Sequence, residues 1–341
     1  MNKTDKCLAV IKSRKTFVLL LGLIPLLCCT LLFTGCRKEK TYRIGILAGL
    51  DYASDIVIGF KEKMTELGYV EGKNVVYDVQ HSNFDMAEYK RILQKFVADK
   101  VDVIFTFPTE ATIEAKLATA ESKIPVVFCF ANIEDNNLIN SVREPGGNLT
   151  GVRYPGPDLT VKRFELMRAI VPEATRLWIP YQKGYPVDCQ INALTPVAEA
   201  AGVQIEYFPA ADAAELQAEL DRRSQGSDPG FDAILFLAEP LTVTPDAFSV
   251  LNNFAASRRM PMAGALISEG DYGTIFGVNV DFIPSGRQAA TVVDKILKGA
   301  NPAVTPVVSS ESFFQINYKI VQKLGLNISE TILNQADEII R

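Results

Sequence analysis

Val101-Asp102-Val103-Ile104-Phe105-Thr106 decides how this chain folds, read with Thr109, the helical run Glu110 to Ala120 and the apolar stretch Val126 to Phe130 that follow. An apolar strand, a helix that Thr109 is placed to cap, and a second apolar strand make one β-α-β unit. Such strands are apolar nearly throughout because a parallel sheet is covered on both faces.

The alternation continues outward from this unit. On the N-terminal side, Tyr42 to Ala48 is a short apolar strand, and Asp55 to Leu67 has helical spacing stopped by Gly68. Asn74 to Gln80 is β-rich, and Asp85 to Asp99 is helical with Tyr89, Ile92, Phe96 and Val97 on one side. On the C-terminal side, Pro145-Gly146-Gly147-Asn148 makes a turn before a second round begins. There, helices over 159–170, 191–201, 213–223, 245–257 and 285–297 alternate with strands over 176–180, 204–208, 233–237 and 260–265. A strand near Phe313 to Ile316 and a helix from Tyr318 to Leu324 close the chain. Two such rounds predict an α/β fold of two doubly wound parallel-sheet lobes.

Lys3, Lys6, Lys12, Arg14 and Lys15 precede an uncharged apolar run from Phe17 to Phe33, which ends in Thr34-Gly35-Cys36. Basic, apolar, then small residues is the order of an export signal. The terminal Cys makes it resemble a lipoprotein signal, with residues 1–35 removed, Cys36 lipidated and 36–41 left as a charged tether. The other reading is a transmembrane anchor. Seventeen residues at ~1.5 Å each reach roughly 26 Å, short of the ~30 Å hydrocarbon core, and Gly22 and Pro25 weaken the helix further. Both readings put the chain from residue 37 outside the inner membrane, in the periplasm or at the cell surface.

The whole chain carries 35 basic and 40 acidic residues. Five of those bases and one of those acids precede Cys36, so the mature net charge is about −9, without a basic patch for nucleic acid. Of six cysteines, three follow the cut: Cys36, Cys129 in a strand pattern and Cys189 in a loop. Cys129 and Cys189 are read as buried thiols; a bridge is the alternative, and it would tie together two lobes that must move. The lone His81 leaves no basis for a histidine metal site or a Ser-His-Asp triad. Gly45-Ile46-Leu47-Ala48-Gly49 lacks the spacing of a dinucleotide loop, and neither a phosphate loop nor a metal-ligand cluster is present. The expectation is no cofactor, no metal and no catalysis.

In open parallel sheets ligands sit beyond the carboxyl ends of the strands. The loops there carry Asp51, Tyr52, Thr106, Thr109, Asn132, Glu134, Tyr181, Tyr185, Glu239 and Ser268, and Tyr154 and Asp281 are further candidates for ligand contact. Thr106 and Thr109, with the N–H groups of the following helix, suit a carboxylate; ordinary capping is the alternative. Glu134, Asp135, Glu239 and Glu269 suit an ammonium, against plain solvated carboxylates. Tyr52, Tyr154, Tyr181 and Tyr185 suit an apolar group, against simple lobe packing.

Several segments, taken in order, carry a resemblance. They are Ile44-Gly45-Ile46 with Gly59-Phe60 and Leu67-Gly68-Tyr69, then Ile124-Pro125-Val126-Val127-Phe128, then Pro145 to Gly151. Gly286-Arg287-Gln288-Ala289-Ala290, Ile296 to Pro302, and Asn317 with Leu324-Gly325-Leu326 continue it to the end. The chain resembles the substrate-binding lipoproteins of ABC importers, of the kind that includes tryptophan- and tyrosine-type binding proteins. That resemblance implies a type I periplasmic binding protein fold, whose lobes, joined by crossing strands, hold a small ligand in a cleft. It places the first lobe at 41–151 plus 276–303 and the second at 152–275 plus 304–341. It implies a monomer that meets ABC permease subunits, with a zwitterion's carboxylate near Thr106 and Thr109 and its ammonium near Glu134 or Glu239. The chain departs from the family pattern at Ile133-Glu134-Asp135-Asn136, at Gln182-Lys183 and at Ala238-Glu239-Pro240, so the ligand stays open. A sensory receptor for a membrane kinase or chemoreceptor has the same sequence features. An exported enzyme on this scaffold is the third reading.

Overall fold

The computed structural model describes residues 40–82, 84–134, 136–268 and 271–341. The expected signal peptide and lipidated Cys36, and the carboxylates Asp135 and Glu269, lie outside the described residues.

Apolar strands are stacked into a sheet whose two faces are both covered. β3 (Val103–Phe107) is buried at every position. It lies among β1 (Tyr42–Ala48), β2 (Val75–His81), β4 (Val126–Ala131), β5 (Leu149–Arg153) and the short β11 (Val308–Ser309). The order is β11-β5-β4-β3-β1-β2, and every pairing is parallel. On one face, α1 (Asp55–Glu66) and α8 (Phe282–Leu297) pack Ile56, Phe60, Met64, Ala289 and Val293 against Ile46, Phe105 and Val127. On the other, α2 (Met86–Ala98) and α3 (Thr109–Ala118) bring Tyr89, Ile92, Phe96 and Ala111 onto Leu47, Ile104 and Phe128. The Asp85 carboxylate starts α2 by accepting from the N–H groups of Ala87 and Glu88.

The second sheet contains β6 (Arg176–Gln182), β7 (Gln204–Ala210), β8 (Ala233–Phe236), β9 (Met262–Gly264), β10 (Phe276–Val280), β12 (Ser312–Asn317) and β13 (Glu338–Ile340). Its order is β13-β12-β10-β9-β8-β6-β7, with β12 antiparallel to β10 and the other pairs parallel. α4 (Gly156–Ile170), α5 (Asp188–Ala200) and α9 (Tyr318–Leu324) cover one face. α6 (Ala213–Arg223) and α7 (Pro245–Arg258) cover the other, and a short α10 (Glu330–Leu333) precedes β13. This is the doubly wound two-lobe α/β fold expected from the alternation.

In each sheet the winding reverses direction at one point, between β1 and β3 and between β6 and β8. A ligand crevice forms at such points, outside the carboxyl ends of the strands. The chain changes sheet after β5, after β10 and after β11. The expected boundaries put 276–280 in the first lobe and all of 304–341 in the second, and both need correction. β10 pairs with β9 and β12 in the second sheet, where Phe276, Gly277, Val278 and Val280 are buried. β11 returns to β5 in the first sheet before β12 crosses back. After 276, helix α8 and the short β11 are thus the elements that belong to the first lobe, and two glycines hold α8 there. A Cβ on Gly286 would lie 2.0 Å from the Ile56 carbonyl oxygen, and one on Gly59 would lie 2.1 Å from that of Ile283. The backbones of α1 and α8 touch because neither residue has a side chain.

Candidate functional site

A chain of aromatic rings lies where the two lobes meet. Tyr52, in a single 3-10 turn after β1, packs on Phe282 at 5.8 Å and on Phe130 at 6.5 Å between ring centroids. Phe130 meets Phe282 and Tyr154 edge-on, each at 5.2 Å. Phe130 and Phe282 each pack against the apolar cores of both lobes. Phe130 sits at a register shift near the end of β4 with a φ of 49°, a left-handed conformation unfavourable for a bulky residue. That local cost, on the order of 1–2 kcal/mol, turns the ring out of the strand's alternation and into the junction.

Around these rings stand phenols and a carboxylate from both lobes. Tyr185, from the loop after β6, and Glu110, the second residue of α3, lie within electrostatic reach of one another. Burial first, then the charge of Glu110 and the neighbouring Tyr52, Glu239 and Tyr154, push the Tyr185 phenol well above its ordinary value. Tyr52 is pushed up in the same way, by desolvation before Tyr154 and Glu110. Water reaches 59% of the Tyr52 surface, and the packed side of the ring is the one against Phe130 and Phe282. Glu110 itself is raised by burial, an effect that its own N–H and Tyr185 oppose.

Tyr154 is buried, and its hydroxyl accepts at 2.7 Å from the Nη2 of Arg163 on α4. Arg163 is 0% exposed. Its Nε donates to the Val278 carbonyl at 2.9 Å, and its Nη1 has no hydrogen-bond partner. Buried polar atoms are nearly always satisfied, so each exception calls for a partner. Thr106 Oγ1, Asn132 Oδ1 and Glu134 Oε2 are further exceptions near the carboxyl edge of the first sheet.

The structure brings Tyr52, Tyr154, Tyr185 and Glu239 into one electrostatic neighbourhood, and gives other candidates local tasks. Thr109 does not cap α3 as expected: Pro108 holds the capping position, and the Thr109 hydroxyl accepts from the Asn132 N–H at 3.0 Å. Glu134 pairs with Arg153 at 2.5 Å. Glu239 is 6% exposed, and both its oxygens are engaged. Oε2 accepts from the N–H groups of Gln182 and Leu241, and Oε1 from the Thr242 N–H and hydroxyl. Asp51 is exposed and lies 3.8 Å from the exposed His81. Tyr181 packs on the core of the second lobe. Ser268 and Thr274 exchange hydrogen bonds across their loop, and Asp281 caps α8 through the Ile283 N–H. Cys129 is a buried thiol whose pKa desolvation pushes up; Cys189 lies at the start of α5, half-buried, and not in a loop.

Glu110, Phe130, Phe282 and Arg163 were not anticipated. Only position marks Glu110, immediately after Thr109 at a helix start following a strand; the others look like core or helix-surface residues in the sequence. Among the described residues no group of three or more His, Cys, Asp or Glu side chains is placed to hold a metal ion. Among them, too, no helix is long and apolar enough to cross a membrane.

Comparison with known proteins agrees with this architecture. A curated tyrosine-binding protein of Clostridioides difficile is 22% identical over 297 residues, 86% of this chain and 83% of that protein. An ABC domain from Streptococcus pneumonia, solved in complex with L-Trp, superposes with a TM-score of 0.75 at 25% identity, over 88% of this chain and 100% of that one. A ligand-free, open substrate-binding protein with adhesive properties from Clostridium difficile gives 0.72 at 20% identity, over 88% and 99%. The family of ABC transporter substrate binding proteins matches residues 45–340. The chain therefore belongs to that family, whose role is binding and not catalysis.

Proposed function

We propose that this protein is the extracytoplasmic receptor of an ABC importer, tethered through a lipid on Cys36, and that it closes its lobes over an aromatic amino acid. The observation that carries the reading is the run of rings Tyr52, Phe282, Phe130 and Tyr154, at centroid spacings of 5.2–6.5 Å. An aromatic side chain placed among them gains about 0.5–1.5 kcal/mol per ring pair beyond the area it buries. The L-Trp of the pneumococcal protein and the tyrosine of the clostridial relative are ligands of this kind. On this reading the free hydroxyl of Thr106, with Thr109 beside it, serves the carboxylate. Glu239, with both oxygens engaged, holds the loops that frame the cleft, while Glu134 is paired with Arg153 through Oε1 and keeps Oε2 without a partner.

Closure is driven by differential affinity. The ligand touches both lobes only when they are together, so it favours that form and presents a joined surface to the permease. Native mass spectrometry of the protein as purified from its expressing cell tests the assignment. The expected added mass is that of tryptophan or tyrosine; a sugar in its place overturns the reading.

A further inference from the structure

The first crossing between the lobes runs from β5 through Tyr154 and Pro155 into α4. Arg153, the last residue of β5, reaches out from it in several directions. Its Nε donates to the Ser309 hydroxyl on β11 at 2.8 Å, and its Nη1 donates to Glu134 Oε1, in the loop after β4, at 2.5 Å. Its Nη2 donates to Asp158 Oδ2, in the first turn of α4, at 3.0 Å. Ser309 and Glu134 belong to the first lobe, and Asp158 belongs to the second. Among the described residues, Arg153–Asp158 is the only ion pair that joins the lobes.

The main chain here is fixed to the first lobe. The Arg153 carbonyl accepts from the Ser310 N–H at 3.0 Å, and the Tyr154 N–H donates to the Ala131 carbonyl at 2.9 Å. An isolated surface pair is worth little, because ordering two side chains cancels much of its Coulomb energy. Arg153 escapes most of that cost. Its side chain is 19% exposed, and Glu134 and Ser309 already hold its guanidinium, so only the short side chain of Asp158, 69% exposed, has to be ordered. A rotation of the lobes about this crossing moves Asp158 against a fixed Arg153. The pair is therefore made in one arrangement of the lobes and stretched in others. It is made here, where Phe130 and Phe282 pack on the cores of both lobes.

We propose that Arg153 is a positioning residue that sets the balance between lobe arrangements. Through Asp158 it favours the one in which the lobes share Phe130 and Phe282. Through Oε1 of Glu134 it links that balance to a carboxylate whose Oε2 has no partner. The pair acts on affinity by raising the fraction of protein competent to bind. This rests on the two-lobe receptor reading above but fails separately from the aromatic ligand.

The test combines small-angle scattering of the ligand-free full chain with calorimetric titration by L-tyrosine and L-tryptophan. It is run on wild type, Asp158→Asn, Asp158→Glu and Arg153→Lys. Losing one partly exposed pair should shift the balance about two- to fivefold. Asp158→Asn should thus bind its amino acid more weakly by that factor and show a larger radius of gyration without ligand. Asp158→Glu, which keeps the charge, should restore most of both. Arg153→Lys should follow Asp158→Asn, because an ammonium lacks the fork that spans Glu134, Ser309 and Asp158. Wild-type affinity should fall with added salt more steeply than that of Asp158→Asn. The carboxylate also steadies the start of α4, so Asp158→Asn should melt at most about 4 °C lower. A lower melting temperature with the affinity and radius of gyration of wild type assigns Asp158 to the helix alone and overturns the proposal. Tighter binding by Asp158→Asn overturns it as well. If neither amino acid binds wild type, the aromatic reading falls and the ligand-free scattering alone decides: a larger radius in Asp158→Asn upholds the tie, and an equal one overturns it.

Discussion

Replacing Glu239 by Gln separates a structural carboxylate from a ligand contact. The side chain joins the end of β6 to the turn after β8, the two strands that flank the reversal of winding in the second lobe. Oε2 accepts at 2.8 Å from both Gln182 N and Leu241 N, while Oε1 accepts from Thr242 N at 2.8 Å and Thr242 Oγ1 at 2.5 Å. In Glu239→Gln one oxygen becomes an NH2 that faces N–H donors. The NH2 turns toward Thr242, whose hydroxyl rotates to accept from it; the Thr242 N–H then loses its acceptor, at about 1–3 kcal/mol, and the Gln182 and Leu241 N–H groups lose charge assistance, about 1 kcal/mol each. We expect a loss of about 3–5 kcal/mol, a fall of roughly 5–10 °C in Tm at about 2 °C per kcal/mol for a domain this large. Circular dichroism melts, paired with a ligand titration on the surviving native fraction, provide the measurement. A variant that melts within about 2 °C of wild type but binds more than tenfold more weakly would refute this reasoning and make Glu239 a direct ligand contact.

Three further outcomes follow from the same geometry. Gly286→Ala should cost about 1–3 kcal/mol in urea unfolding, because its methyl would meet the Ile56 carbonyl at 2.0 Å and push α8 off α1. Thr106→Val should leave stability unchanged or raise it by up to about 1 kcal/mol, since its buried hydroxyl is unpartnered; ligand affinity should fall about tenfold in the same protein if that hydroxyl serves the carboxylate. Asp232 feels burial that would raise its pKa, but hydrogen bonds from the Arg176 side chain and from the N–H groups of Arg176 and Thr175 outweigh it and lower the value. Its stabilising effect is therefore present at neutral pH and lost as pH falls below the ordinary aspartate value of 3.8. Asp232→Asn should unfold about 1 kcal/mol more easily at pH 7, and that gap should close in acid melts below pH 3.8.

The alternation of elements was readable because strands covered on two faces must be apolar and the helices between them must show one apolar side. Phe276 to Val280 shows why lobe boundaries were not. An apolar run reports burial but not which sheet it joins, and that depends on β9 and β12, distant in sequence. Tyr52, Tyr154 and Tyr185 were legible as residues just beyond strand ends. In the sequence Phe130 reads as the last residue of a core strand, because a left-handed backbone angle at a non-glycine residue leaves no mark there. Nothing in the sequence sets Arg163 apart within its helical run, and its burial beneath β10 is a tertiary fact. Glu239, just past a strand end, fits either a ligand ammonium or plain solvent by its sequence position, but the N–H groups two and three residues later close around it. Thr109 looked like a helix cap, and its bond to Asn132 spans two loops that sequence alone does not bring together.

The central claim is that two lobes clamp an aromatic amino acid between their strand-end loops. Calorimetric titration of the purified full chain with L-tyrosine and L-tryptophan, beside myo-inositol and ribose, tests it most directly. The account predicts saturable one-to-one binding of at least one aromatic amino acid and none of the sugars; binding of a sugar alone would contradict it.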